Sequence, residues 1–369
     1  MSEYQYYGWQ ALDSHLNEKE LEEVSALSSH MNEVSPTRAV VTYQWGSFKY
    51  KPAQILLKYF DVFVYDSNFG SRRLIFRIPK KLLDPRAIEA YLDDEFISLE
   101  TQGAYHLLEL TCNDEENTLE YVDSDDMLNR LTALREQIIQ GDLRALHIAW
   151  LASIGREEGS PDNDEVEELP PPPGLNKLDS GLRALAEFFA VDLNLIAAAA
   201  GSAPSAESQP LASAIPSLTR AEMESHLTDI VNGEAGAVAF LKKQLAQKLT
   251  GTTANTPMPL RTLGDLFRLR EKVNGQKQSQ ARYEAERKRI QKLEKLRENQ
   301  EQAWAQVESL CYEKRAKAYD EATQLLVDLR DLGGYKNQQT QFEKQFAVIL
   351  EKFGKSQALK ERLRRAGLM

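Results

Sequence analysis

No run of some eighteen apolar residues occurs anywhere in the 369-residue chain, and a membrane-spanning helix needs about 20, so none is expected. The opening Met1-Ser2-Glu3-Tyr4-Gln5-Tyr6-Tyr7 has neither the positive flank nor the greasy stretch of a secretory signal, and the expected location is cytoplasmic. Cysteine is scarce. Cys112 and Cys311 stand far apart, which fits plain thiols in a reducing compartment better than a disulfide framework. The five histidines, His15, His30, His106, His147 and His226, never fall at metal-ligand spacing from one another or from a cysteine, so no metal and no cofactor are expected. Gly354-Lys355-Ser356 ends like a phosphate-cradling loop, but Ile349 occupies the place of its first glycine and no strand precedes it. Asp123, Asp125 and Asp126 crowd oxygens together, yet Leu128 and Leu134 stand where a calcium loop needs glycine and glutamate. Dinucleotide and nucleophile-elbow patterns are missing too, so the sequence inclines against an enzyme and identifies no small molecule.

What the chain does have is an uneven distribution of charge. Residues 1–169 carry 15 Lys and Arg against 32 Asp and Glu, whereas residues 260–369 carry 24 against 16, beneath a total of −11. Such a polarity allows a tail that meets the acidic front, head-to-tail association, an anionic partner, or an ordinary solvated surface.

Residues 1–155 alternate β-branched or aromatic runs with amphipathic patterns, the signature of an α+β domain. Strands are expected over Tyr4–Gln10, Arg38–Trp45, Val62–Tyr65, Leu74–Ile78 and Tyr105–Thr111. Asn17 with Glu20 forms a capping box for a helix with Leu21, Val24 and Leu27 on its apolar face; further helices are expected from Pro52 and after Asp84-Pro85. A hairpin is expected at Asp66–Gly70, and two helices, about 125–140 and 142–154, close the domain.

Residues 156–174 are acidic and end in four prolines, so an extended linker is expected. A small helical domain follows over 175–250, then a linker with a short helix over 251–275. Residues 276–332 contain no proline and no glycine and predict one long charged helix of about 80 Å. A heptad seam of Ile290, Leu293, Trp304, Val307 and Cys311 is interrupted by Arg297, Gln300 and Lys314, leaving a coiled coil, a lone charged helix and a helix folded back on its own chain as readings. Residues 333–369 predict a helical hairpin. The fold class is thus an α+β N-terminal domain, a mixed sheet with flanking helices, followed by an all-α region with a long charged helix and a small C-terminal helical bundle.

Two groups of residues are candidates for binding. Trp45, Lys49, Asn68, Arg72 and Arg73 stand in or beside turns and strand ends, where an arginine can hold a carboxylate or phosphate and an aromatic can stack on a planar ligand. The alternative is that strand alternation sends one arginine to solvent and Trp45 packs a core edge. Arg282, Arg287, Lys288, Arg289, Lys292, Lys295 and Arg297 form a basic run suited to a protein partner or a nucleic acid. Interleaved Glu284, Glu286, Glu294, Glu298 and Glu301 would repel phosphates and disfavour nucleic acid.

The motifs Tyr43-x-Trp45-Gly46-x-Phe48-Lys49, Asn68-x-Gly70-x-Arg72-Arg73-Leu74 and Gly141-Asp142-Leu143-Arg144 resemble those of a widespread uncharacterised bacterial protein family. Pro172-Pro173-Gly174-Leu175 and Leu325-Leu326-x-Asp328-Leu329-Arg330-Asp331-Leu332 extend the likeness over most of the chain. The resemblance implies the same order of α+β domain, acidic proline linker, helical unit and charged tail, and implies no activity. The leading expectation is a non-enzymatic interaction or scaffold protein, with a protein partner at the front domain and self-association or docking through the long helix.

Overall fold

The structure, a computed structural model, describes residues 3–114, 119–156, 161–203, 210–234, 236–250, 261–336 and 338–369. Two compact units divide the chain, Met1–Asn274 and Gly275–Met369.

The front unit is built on a seven-stranded sheet of β1 (Gln5–Gln10), β2 (Met31–Val34), β3 (Arg38–Tyr43), β4 (Val62–Ser67), β5 (Ser71–Pro79), β6 (Ile97–Gln102) and β7 (Tyr105–Asn113). Its order is β2-β3-β1-β4-β5-β7-β6. Every pairing is antiparallel, so the sheet is not the mixed one expected. Short connections join β2 to β3, β4 to β5 and β6 to β7, and a parallel pair would need a long crossover in their place. The two strands that the pattern did not announce, β2 and β6, are the edges. The ladder between β2 and β3 carries a bulge at Met31/Glu33.

Strand side chains alternate between faces, and both faces are buried. Leu74, Phe76 and Ile78 of β5 enter one core, while Ile75 enters the other with Tyr7, Trp9 and Phe63. The second core is closed by α1 (Glu18–Ser25) and α2 (Pro52–Tyr59) through Val24, Ile55 and Leu56. The capping box at Asn17 and Glu20 is present, as is the proline at the start of α2. The first core is covered by α3 (Ser124–Leu131), α4 (Ala133–Ile139), α5 (Arg144–Ile154), α6 (Ser180–Phe188) and α7 (Leu193–Ala200). α9 (Ala237–Thr250) adds Ala239 and Phe240 to the same core, and α8 (Arg220–Val231) packs against α9.

Three expectations are corrected in this unit. The helix after Asp84 is a pair of 3-10 turns, Pro85–Ala87 and Glu89–Tyr91. Asp84 still caps by accepting from the Arg86 N–H, but Ile88, fully buried, takes φ −121° and ψ 0° and interrupts the helix. The described part of the proline-rich segment, residues 161–174, is packed and not extended. There the Glu168 N–H donates to the Arg261 carbonyl (2.7 Å), the Leu263 N–H donates to the Val166 carbonyl (2.9 Å), and Leu169 joins the core. The helices of residues 175–250 are no separate domain either: α6 and α7 bury Leu182, Leu185, Phe188 and Ile196 in the core shared with α3 and α5. Residues 204–209 and 251–260, which hold most of the expected breaks, lie outside the described residues.

α10 (Leu263–Glu298) starts in the front unit, and its portion from Gly275 belongs to the rear one. The single helix expected over 276–332 is instead divided among α10, α11 (Gln300–Glu313) and α12 (Ala316–Tyr335). Asn299 breaks it once and Lys314, in the left-handed region at φ 52°, breaks it again. The reversal lets α11 pack along α12, burying Val307 and Cys311 with Ala322 and Leu326. A fully buried leucine is worth about 1.5–3 kcal/mol, more than the strain of about 1–2 kcal/mol at one left-handed residue. α12 runs on through Gly333, where a Cβ would come within 3.3 Å of Phe342 Cβ, so glycine here permits close approach of α13 (Gln339–Phe353). α14 (Gln357–Arg365) adds Leu359 and Leu363 to the bundle core.

Candidate functional site

A groove of about 1270 Å³ lies in the front unit between residues 119–122, α3, α6 and α7. Its walls expose hydrocarbon and polar surface in nearly equal shares. Val122, Leu175, Leu178 and Val191 lie beside Leu193 and Ile196, and Ala186, Ala190, Ala197 and Ala200 make a strip of small residues. Local sequence fixes this shape. Asp179 caps α6 by accepting from the Leu182 N–H, and Asp192 caps α7 by accepting from the Asn194 N–H. Between them α6 ends in a Schellman turn: the Val191 N–H donates to the Ala186 carbonyl (2.8 Å) and the Ala190 N–H to the Glu187 carbonyl (3.2 Å). Ala190 takes the left-handed position at φ 52°, where glycine is usual. At the other end of α6, a Cβ on Gly181 would stand 3.1 Å from the Arg130 carbonyl, so glycine allows α6 to lie close against α3.

Beneath the groove lies Arg72. Its side chain is buried, and its three nitrogens are all used. Nε donates to Asp66 Oδ1 (2.9 Å), Nη1 to the Phe188 carbonyl (2.7 Å) and Nη2 to the Glu120 carbonyl (2.5 Å). Asp66 Oδ2 accepts from the Ser124 hydroxyl at 2.8 Å. One guanidinium therefore ties the sheet to both walls, Glu120 on one side and the end of α6 on the other. It is a positioning residue, tied through each nitrogen to the protein itself.

The other members of that candidate group do not converge on it. Arg73 points to the opposite face, where it pairs with Glu109 at 2.6 Å. Asn68 closes the end of the β1–β4 ladder: its Oδ1 accepts from the Tyr4 N–H (2.9 Å) and its N–H donates to the Tyr4 carbonyl (3.1 Å). Trp45 is 69% exposed and Lys49 is exposed beside Tyr50, in the connection from β3 to α2. Trp45 therefore does not pack a core edge.

At the groove rim the charges fall into two sets. Arg130 is engaged with Asp126 (3.0 Å) and Glu187 (3.3 Å). Arg183 donates through Nε to the Leu178 carbonyl (3.1 Å), and neither it nor Glu120 forms an ion pair among the described residues.

Other buried titratable groups are structural ties. Asp61 accepts from the Leu12 and Asp13 N–H groups (2.7 and 2.9 Å) and from Arg77 Nη2 (2.7 Å), while Arg135 chelates Asp13 at 3.1 and 2.7 Å. Burial alone would raise the Asp61 carboxyl; Arg135 and Arg77 hold it below the usual range. Glu168 pairs with Arg261 through both oxygens at 2.7 Å; burial raises its carboxyl and Arg261 opposes the rise. His147 is fully buried against Tyr91 and Trp150, its Nε2 has no partner, and burial pushes it down to about 3. Burial raises both thiols, Cys311 to about 11, so neither is an activated nucleophile. Among the described residues no cluster of three metal-ligating side chains occurs, and no helix is long and apolar enough to cross a membrane.

In the rear unit the basic run is divided. Arg289 pairs with Asp331 (3.5 Å) and Glu286 (3.7 Å), Lys292 with Asp328 (2.6 Å) and Arg297 with Glu294 (3.1 Å). Arg282, Arg287, Lys288 and Lys295 are exposed and form no ion pair among the described residues. Of the expected seam, Leu293, Val307 and Cys311 are buried and Trp304 and Ile290 half-buried. Trp304 lies 5.7 Å from the Phe342 ring, ring centre to ring centre, so the seam from α11 onward is covered by this chain's own helices and not by a second coil.

No family model matches the chain, and no curated protein and no solved structure matches it either.

Proposed function

We propose that the chain is a non-enzymatic interaction protein whose front unit recognises a helix of a protein partner in the groove over Arg72. The observation that carries this is the groove itself. At about 1270 Å³ it exceeds the ~300–1,000 Å³ of ordinary small-molecule sites, and it is open to solvent. Alanines on one wall let a partner backbone approach, larger aliphatic side chains offer holes for anchors, and Glu120, Arg130, Arg183 and Glu187 set charges among them. This is the chemistry of helix-in-groove recognition, in which anchors at i, i+3, i+4 and i+7 enter an apolar trough.

The test is titration of fluorescently labelled amphipathic helical peptides, carrying leucines at that spacing, into the full chain. Binding is expected, together with at least a tenfold loss in Ala197→Trp, which fills the trough, and no change in Trp45→Ala, which lies elsewhere. Peptide binding that is indifferent to Ala197→Trp would sink the reading.

A further inference from the structure

We infer that the helix taken by this groove is α8 of a second copy of the same chain; the inference rests on the helix-in-groove reading above. α8 is a preformed helix, opened by a capping box in which Thr219 accepts from the Glu222 N–H and Glu222 reaches back to the Thr219 N–H. Its packing is inverted. A surface helix ordinarily turns its apolar stripe inward, yet the one residue that α8 buries is His226, hydrogen-bonded to Gln244 of α9. Met223, Leu227 and Val231, at i, i+4 and i+8, face water at 36, 61 and 83% exposure. Three large apolar side chains in one row, on a helix whose own unit holds it by a polar residue, form a ready-made set of anchors.

The charges fit as well. Arg220 and Glu224 share the face of that row, one turn apart, and pair only with each other at 2.8 Å across an exposed gap. Exposed pairs of this kind are weak and readily exchanged. The groove rim presents the opposite set, Arg183 and Glu120, without ion-pair partners among the described residues. Seating α8 gives Glu224 to Arg183 and Arg220 to Glu120 while the apolar row covers the trough. Donor helix and receiving groove are different surfaces, so the contact is heterologous: each added copy leaves one groove and one α8 unsatisfied, and copies join head to tail.

Analytical ultracentrifugation of the full chain across a concentration series tests this. The wild type is expected to gain mass with concentration, whereas Ala197→Trp and Leu227→Glu each stay monomeric. Mixing those two variants should restore a one-to-one dimer and nothing larger, because one retains only α8 and the other only the groove. Arg183→Glu and Glu224→Arg should each weaken association about tenfold, and combining them should recover it; recovery in the double variant guards against a misfolded tryptophan variant. A wild type that stays monomeric throughout, or association lost in Leu227→Glu but kept in Ala197→Trp, overturns the inference. To separate it from the reading it rests on, a labelled peptide of residues 218–234 and an unrelated amphipathic helix are titrated into Leu227→Glu. If the unrelated helix binds and the 218–234 peptide does not, only the self-association falls; if neither binds, both do.

Discussion

The two units handle charge in opposite ways. The front unit carries 25 Lys and Arg against 42 Asp and Glu and buries several of them, with Asp61, Arg77 and Arg135 in one network and Asp66 with Arg72 in another. The rear unit carries 20 against 14 and, among the described residues, buries no charge at all; Thr323 is its one buried polar side chain. A sheet covered on both faces traps the polar groups that join its layers, so they must be satisfied inside. A bundle of short helices needs only an apolar stripe per helix and leaves its ion pairs in water. The front unit is therefore pinned by a few irreplaceable contacts, and the rear unit by many interchangeable ones.

Three measurements break or sharpen that contrast. The largest effect is expected from Asp61→Ala, which leaves Arg77 in the interior without its carboxylate and Arg135 with Asp13 alone. Removing one partner of a buried pair costs about 3–5 kcal/mol, read as a lowered urea midpoint of the front unit. A midpoint within experimental error of wild type would refute the buried-network account. Next comes His147. Its folded-state value of about 3 lies below the unfolded value near 6.5, so the unfolded chain binds the extra proton between them. Stability from this group is complete above about pH 6.5 and falls with acidification, by up to about 1.4 kcal/mol per pH unit. His147→Phe should flatten the difference between pH 7 and pH 5, and an unchanged slope would argue that the ring titrates normally. The smallest effect is expected in the rear unit. Asp328→Asn, which releases Lys292 on an exposed face, should cost no more than about 1 kcal/mol and shrink further in high salt. A loss of several kcal/mol there would erase the distinction between the units.

The same contrast governs what could be read in advance. Local chemistry announced itself: the Asn17 capping box, Pro52 opening α2 and the β4–β5 hairpin all stand where the residues place them. The edge strands did not, because alternation is a signature of burial and β2 exposes Asn32 and Glu33 while β6 exposes Glu100 and Thr101. The long rear helix misled for a related reason. Without glycine or proline nothing local stops it, and the break at Lys314 is imposed by α11 folding onto α12. Asn299, a residue favoured at helix starts, was the available clue to the first break.

The groove was the least legible part, since its walls come from segments some seventy residues apart in sequence and are made of alanines and leucines that resemble any core. Arg72 drew notice as a possible ligand holder and proves to be the tie that sets those walls. Asp179 and Asp192, capping successive helices on either side of the αL residue Ala190, were the signal that could have revealed the α6–α7 corner.

The short, bulged margin of the sheet has a bearing on colloidal behaviour. At one border β2 spans only Met31–Val34, kinked at its first pair and dressed with a carboxylate at Glu33 that engages Arg38. Such a border is a poor template for backbone pairing with a stray chain. A seven-stranded sheet of largely aromatic and β-branched residues would otherwise invite cross-β stacking during synthesis or heating, and the irregular rim diverts that hazard toward contacts made by side chains, which can be selected and reversed.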